Sequence, residues 1–136
     1  MSSILSIAVS GISAASERMQ DSAGNVANAN SDGPSPSADP AIQADYPPAY
    51  VPKEVHQVAT PGGGTKAIVA NMQPGTVLAY DPTAPYADQN GEVAEPNVNF
   101  TTEAVQQLTA RYDFVFNAYV ARVYSRMMKS LVDIQT

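Results

Sequence analysis

Apolar residues form two long helical stripes at the ends of the chain, separated by a middle with no helical period. In the first segment Ile4, Ala8, Gly11, Ala15, Met19, Ser22 and Val26 recur at steps of three and four. That is the spacing of a heptad-like seam. Ile7 and Ile12 broaden it. Small residues dominate the seam, so another helix can approach closely. The pattern predicts a helix over about 3–29, ~40 Å long at 1.5 Å per residue. Asn30, Asp32, Gly33 and Pro34 then supply stop signals.

The last segment opens with three candidate N-caps, Asn99, Thr101 and Thr102, and has Glu103 in its first turn. Val105, Leu108, Tyr112, Val115 and Tyr119 follow at steps of three and four, and Val123, Met127, Leu131 and Ile134 continue mostly at four. A drift from 3.5 toward 4 rotates the stripe around the helix. Phe114, Phe116, Val120, Met128 and Val132 make a second apolar face. A helix over about 102–133 spans nearly ~50 Å. A helix apolar on two sides needs partners on two sides, and one N-terminal helix covers only one of them.

All eleven prolines lie between Pro34 and Pro96. Proline removes a helix donor and clashes with the preceding turn, so this middle cannot be a long helix. Residues 31–50, rich in Ser, Pro, Asp and Ala, read as a loop. Residues 51–58 alternate loosely as a strand, Gly62, Gly63 and Gly64 mark a turn, and 67–72 and 75–80 are short β-prone runs. A two- or three-stranded element is the most this pattern predicts, leaning on the helices or on other subunits.

Composition narrows the function. Phe supplies three residues and Trp none, so a self-sufficient core from this chain is marginal. The net charge of −6 argues against nucleic acid, since no basic patch displaces counterions from phosphates. The acidic excess sits in the middle segment; residues 97–136 carry +1. There is no Cys, which removes thiolate catalysis and cysteine metal sites. Residues 4–15 lack a basic n-region, and their helical spacing runs past any cleavage point, so they read as mature sequence. No run of ~18 apolar residues predicts a direct membrane span.

Candidate chemistry is sparse. His56 is the single histidine and reads as a solvent-facing strand residue. Gly62-Gly63-Gly64-Thr65-Lys66 lacks the spacing of a phosphate loop. Asp88, Asn90 and Glu92 alternate, but Gly91 falls between the last two rather than after them, which is not the order of a calcium loop. Asn99-Phe100-Thr101 is a formal glycosylation sequon at a helix start. The expectation is no enzyme: no catalytic, cofactor-binding or metal residues. Arg111, Arg122, Arg126 and Lys129 lie near one helical face, and Glu17 and Asp21 are one turn apart on the first helix. Two readings stand: solvated faces, or complementary charge between helices of adjacent subunits.

Two motifs carry a family resemblance. Ser10-Gly11-Ile12, Ala15, Arg18-Met19 and the run Ala23-Gly24-Asn25-Val26-Ala27-Asn28-Ala29-Asn30 resemble the N-terminal motif of the axial proteins of the bacterial flagellum, its rod and hook subunits. The block Tyr80, Asp81, Pro82, Pro85, Asp88, Gly91, Pro96, Asn97 and Val98 resembles the stretch before the C-terminal helix in the proximal-rod type. Gly24 and Glu92 depart from the family pattern, as does the long Pro-rich stretch 31–51.

The resemblance implies end helices paired as a hairpin. Together with the periodicity it gives the expected fold: mainly α with a small β element, long N- and C-terminal helices packed as an antiparallel coiled-coil-like hairpin around a Pro-rich middle segment. The expected organisation is 1–30 as N-terminal helix of the axial core, 31–50 as loop, 51–98 as a small β-prone and extended segment, and 99–136 as C-terminal helix. The implied function is a structural subunit of the basal-body rod, assembling helically into the shaft that transmits motor torque. The implied partners are copies of itself, other flagellar rod subunits, the export apparatus and the basal-body ring proteins. The implied location is the periplasmic rod, reached without a cleaved signal peptide. Candidate assembly residues are Ile4, Ile7, Gly11, Ile12, Arg18, Met19, Asn25, Val26 and Asn28 in the first helix. In the last they are Val105, Leu108, Tyr112, Val115, Tyr119, Val123, Met127 and Leu131. Another rod or hook-basal subunit, or a non-flagellar coiled-coil adaptor, remain the alternatives; the adaptor predicts a stable monomer or closed dimer.

Overall fold

The computed structural model describes residues 4–133. Ser3, the expected start of the first helix, and Ile134, the last position of the C-terminal stripe, lie outside them. The elements in chain order are α1 (Ile4–Ala27), β1 (Gly33–Pro34), α2 (Pro40–Asp45), β2 (Lys53–Ala59), β3 (Thr65–Asn71), β4 (Thr76–Tyr80), β5 (Glu92–Pro96) and α3 (Phe100–Asp133). The expectation of a mainly α protein with one small β element is overturned. Of the described residues 49% are helical and 20% are in strands, and the strands make two separate antiparallel sheets. The protein is α+β.

The reason lies in non-local pairing. β5 is the central strand of the three-stranded sheet β1-β5-β4. It pairs Val93 with Ala79 on one side and with Pro34, far away in the chain, on the other. Its sequence, Glu-Val-Ala-Glu-Pro, has no strong local strand signal. Both prolines are tolerated where they fall, Pro34 on an edge strand and Pro96 at a strand end. The stretch 31–50 likewise holds a strand and a short helix. Asp39 caps α2 by accepting from the Ala41 N–H (2.8 Å), with Pro40 in the first turn.

The second sheet is the hairpin of β2 and β3. Gly62, Gly63 and Gly64 all have positive φ in its turn, a conformation glycine adopts without Cβ strain. The hairpin is tied to α1: the Ser10 hydroxyl accepts from the Thr65 N–H (3.1 Å). A Cβ on Gly64 would lie 2.6 Å from that hydroxyl.

The two long helices pair antiparallel. Gly11 of α1 meets Asn117 of α3, Arg18 meets Asp113, and Ser22 meets Glu103. The α1 residues buried against α3 and the β2–β3 hairpin are small or polar: Ala8, Ala14, Ala15, Asp21, Ser22 and Asn25. Asn99 starts α3, its side chain accepting from the Thr102 N–H (3.0 Å). At the end of α1 the Gly24 carbonyl accepts both the backbone N–H (3.1 Å) and the side-chain amide (2.9 Å) of Asn28.

Candidate functional site

A buried polar hub joins α1, α3 and the entry to β2. Asn25 is 1% exposed. Its amide donates to the Lys53 carbonyl (2.8 Å) and to Glu103 Oε1 (2.9 Å). Its oxygen accepts from the Lys53 N–H (2.9 Å) and the Tyr50 hydroxyl (3.1 Å). All four hydrogen-bonding positions of the side chain are filled. The reversed amide would set oxygen against two acceptors, so only one orientation fits. Ser22 adds a bond to the Glu103 carbonyl (3.1 Å). Burial first, then the carboxylates of Asp21 and Glu103, push the Tyr50 phenol above its usual range. It therefore stays neutral and donates.

Two further joints set the helix pair. Arg18 Nη1 lies 2.9 Å from Asp113 Oδ2, with the arginine side chain 16% exposed. Gly11 lets the backbones close: a Cβ there would meet the Asn117 side chain at 2.5 Å. Gly11, Arg18 and Asn25 of the family-like motif thus hold the chain to itself. Asn28 folds its amide back onto the Gly24 carbonyl of its own helix.

The apolar stripes point the other way. Ile4, Ile7, Val26, Val105, Leu108, Tyr112, Val115, Tyr119, Met127 and Leu131 are exposed. Ile12, Met19 and Val123 are half-buried. Of the 34 residues of α3 only Glu103 and Ala110 are buried. The second face expected on this helix, Phe114, Phe116, Val120, Met128 and Val132, is also open, with Phe116 65% exposed. Between the helices runs an apolar groove of about 400 Å³, floored by Ala15, Met19, Ala23 and Ala110 and flanked by Phe114 and Val115. No helix among the described residues is long and apolar enough to cross a membrane.

The second motif block is a loop held rigid by its carboxylates. Asp81 accepts from the Thr83 N–H and hydroxyl. Asp88 Oδ1 accepts from the Asn90 and Glu92 N–H groups (2.8 and 2.9 Å), and its Oδ2 accepts from Ser37 and Ser35. The Glu92 N–H first, then the Ser37 hydroxyl, hold the Asp88 carboxyl below the usual carboxylate range. Its contribution is therefore complete above that range and is lost as pH falls through the lowered value. Gly91 has φ 77° and packs where a Cβ would lie 2.9 Å from the Tyr80 ring. Asn97 donates to the Pro74 carbonyl (3.0 Å). Pro96 is buried and Val98 half-buried beside it, whereas Tyr80, Pro82 and Pro85 stay on the surface. These groups are occupied in shaping the loop, not converging on a ligand. His56 is exposed, beside Glu54 at 3.2 Å.

Sequence reasoning missed Tyr50, Asp113 and the inward role of Glu103. The signal for Glu103 was available only as a helix-start acid, a position that looks the same whether it faces solvent or a buried amide. Arg111, Arg122, Arg126 and Lys129 stay exposed and do not pair with Glu17 or Asp21 inside the chain.

No protein-family model matches the chain. It is similar along nearly its whole length to individual proteins. It is 38% identical over 135 residues to the flagellar basal-body rod protein FlgC of Salmonella typhimurium, covering 94% of this chain and 93% of that one. It is 37% identical, with the same coverage, to FlgC of Escherichia coli O157:H7. It is 29% identical over 142 residues to FlgC of Agrobacterium fabrum, covering 98% and 94%. At 38% identity over 94% of its length to a rod protein of that name, the chain belongs to the FlgC family of flagellar basal-body rod proteins.

Proposed function

We propose that this chain is a structural subunit of the flagellar basal-body rod, stacking helically with copies of itself and with other rod subunits into the shaft that carries motor torque across the periplasm. Family membership supports the rod assignment. One observation carries the stacking: α3 buries almost none of its large apolar residues within the chain. Burying a Val, Leu or Phe side chain is worth roughly 1.5–3 kcal/mol, so a dozen left open is a strong drive to associate. The assembly surface we assign is Ile4, Ile7 and Val26 on α1 and the stripe from Val105 through Tyr119 to Leu131 on α3. Residues 1–30 and 99–136 form the axial core in this reading. Residues 31–50 and 51–98 are the loop and the small β-bearing segment that join its two arms. Contacts with ring proteins and passage through the export apparatus without a cleaved signal belong to the same proposal. The function needs no catalysis, since the work is mechanical.

Tyr119→Asp tests it. The side chain is 58% exposed, so the monomer tolerates the change, while a charge in the middle of the stripe blocks stacking. Cells carrying only this variant should lose swimming and lack rods in isolated basal bodies. Swimming at wild-type speed would remove α3 as a contact surface. Cryo-microscopy of wild-type basal bodies should find the chain in the inner part of the rod.

A further inference from the structure

Among the described residues the two sheets have four edge strands, β1 and β4 in one and β2 and β3 in the other. Three of the four are guarded. β1 is two residues long and ends on Pro34. The outer edge of β2 starts at Lys53, whose N–H and C=O are both taken by the Asn25 side chain. The outer edge of β3 starts at Thr65, whose N–H is taken by the Ser10 hydroxyl, and the strand carries Lys66. Very short strands, prolines, lysines and covering groups are the usual ways of blunting an edge against a passing chain. β4 has no such guard. Its sequence, Thr-Val-Leu-Ala-Tyr, holds no charge, proline or glycine.

The register shows which backbone groups that edge leaves open. The Asn97 N–H donates to the Gly75 carbonyl (3.0 Å), and the Asp81 N–H donates to the Gly91 carbonyl (2.9 Å). These two bonds bracket the ladder of β4 with β5. Bonded pairs recur at every second residue of an antiparallel ladder, so Val77 and Ala79 bond to Glu95 and Val93. Thr76, Leu78 and Tyr80 turn their N–H and C=O groups the other way, to the outer edge. No turn or loop backbone group of the described residues bonds to them. The strand is also open to solvent: Leu78 is 57% exposed and Tyr80 75%. A cleft of about 340 Å³, lined by Pro36, Ser37, Thr76, Val77 and Leu78, lies beside its first half.

We propose that β4 is the docking strand for an extended segment of a neighbouring protein other than a copy of this chain, added to the three-stranded sheet as a fourth strand. In strand addition the main chain supplies the affinity, and pockets for alternate side chains supply the specificity. The segment this edge takes is extended, has no proline where it must donate, and offers an apolar side chain to the cleft. A second copy has no such segment free. Its other three edges are guarded, so it offers only its own β4. Two β4 strands paired edge to edge are related by a two-fold axis, and that contact closes as a dimer and does not repeat along a tube. The inference rests on the rod reading for where the neighbour lies, and it adds the chemistry of one contact.

Hydrogen exchange of isolated basal bodies, read residue by residue, tests it. β5 protects the Val77 and Ala79 amides with or without a neighbour. With a fourth strand in place the Leu78 and Tyr80 amides should be protected as well, slowed by about tenfold or more relative to the purified chain. Basal bodies that hold the chain with protection still alternating, slow at 77 and 79 and fast at 78 and 80, would overturn the added strand and leave the rod reading standing. Basal bodies without the chain would sink the rod reading itself. Leu78→Pro removes one outward N–H and no bond to β5, a placement proline tolerates on an edge. It should cost more swimming than Leu78→Ala, which keeps the donor; equal swimming would count against the strand. Where circular dichroism shows the purified Leu78→Pro chain unfolded, exchange alone decides. The absence of native cysteine lets Leu78→Cys report on the occupant. A short bis-thiol cross-linker should leave it unjoined to other copies in basal bodies; two copies joined through this position would mean two-fold pairing and end the proposal.

Discussion

The two long helices use their side chains in opposite ways. α1 turns a row of small and polar residues inward and seals them: Ala8, Ala14, Ala15, Ser22 and Asn25. α3 is ten residues longer and buries only Glu103 and Ala110. In an ordinary core the large apolar groups are inside. Here the interior seam is built from close backbone approach and a saturated hydrogen-bond hub, and the large groups are outside. The difference separates two tasks. Fit and polar satisfaction define how one chain folds; exposed apolar area defines how chains join.

That division is open to attack by substitution, and the inner seam should suffer most. Asn25→Ala strips the hub of its four hydrogen bonds and leaves the Lys53 peptide groups and Glu103 without their partner. The expected loss is about 3 kcal/mol or more, read as a lower urea midpoint of the purified chain; an unchanged midpoint would dissolve the distinction between seam and surface. Gly11→Val places branched carbons against Asn117 and should cost about 1–3 kcal/mol in the same assay. Arg18→Ala removes an ion pair whose Asp113 side chain is 43% exposed, so about 1 kcal/mol or less is expected. A larger loss would give electrostatics a share of the seam now credited to packing. Phe116→Ser, on the outer face, should move the midpoint by no more than about 0.5 kcal/mol while rods disappear from isolated basal bodies. Lost stability at Phe116 would mean that the face serves the fold after all.

The stripes of 3.5 to 4 residues put helices near 3–29 and 102–133, and the chain has them at Ile4–Ala27 and Phe100–Asp133. That agreement is local physics: periodicity, the Asn99 cap and proline exclusion each act within a few residues. The fold class was not legible. β5 owes its strand state to Leu78 and Ala79 of β4, across the 81–91 loop, and to Pro34 far earlier in the chain, and neither pairing is written in its own five residues. The site was legible in part. Apolar positions in excess of what one partner helix can cover were visible in the pattern alone. Which motif residues face inward was not: Gly11, Arg18 and Asn25 read equally well as contacts between subunits.

The sequence by itself determined the two helices, the proline-bounded middle, the surplus of apolar surface and the likeness to flagellar axial proteins. Each of these is a property of residue type and spacing. Only the tertiary structure decided the two-sheet α+β architecture and the Asn25–Glu103–Tyr50 hub. The reason is distance along the chain. An amide at position 25 finds its four partners only when residues 50–53 and Glu103 have closed around it, and no local pattern records which distant segment will arrive.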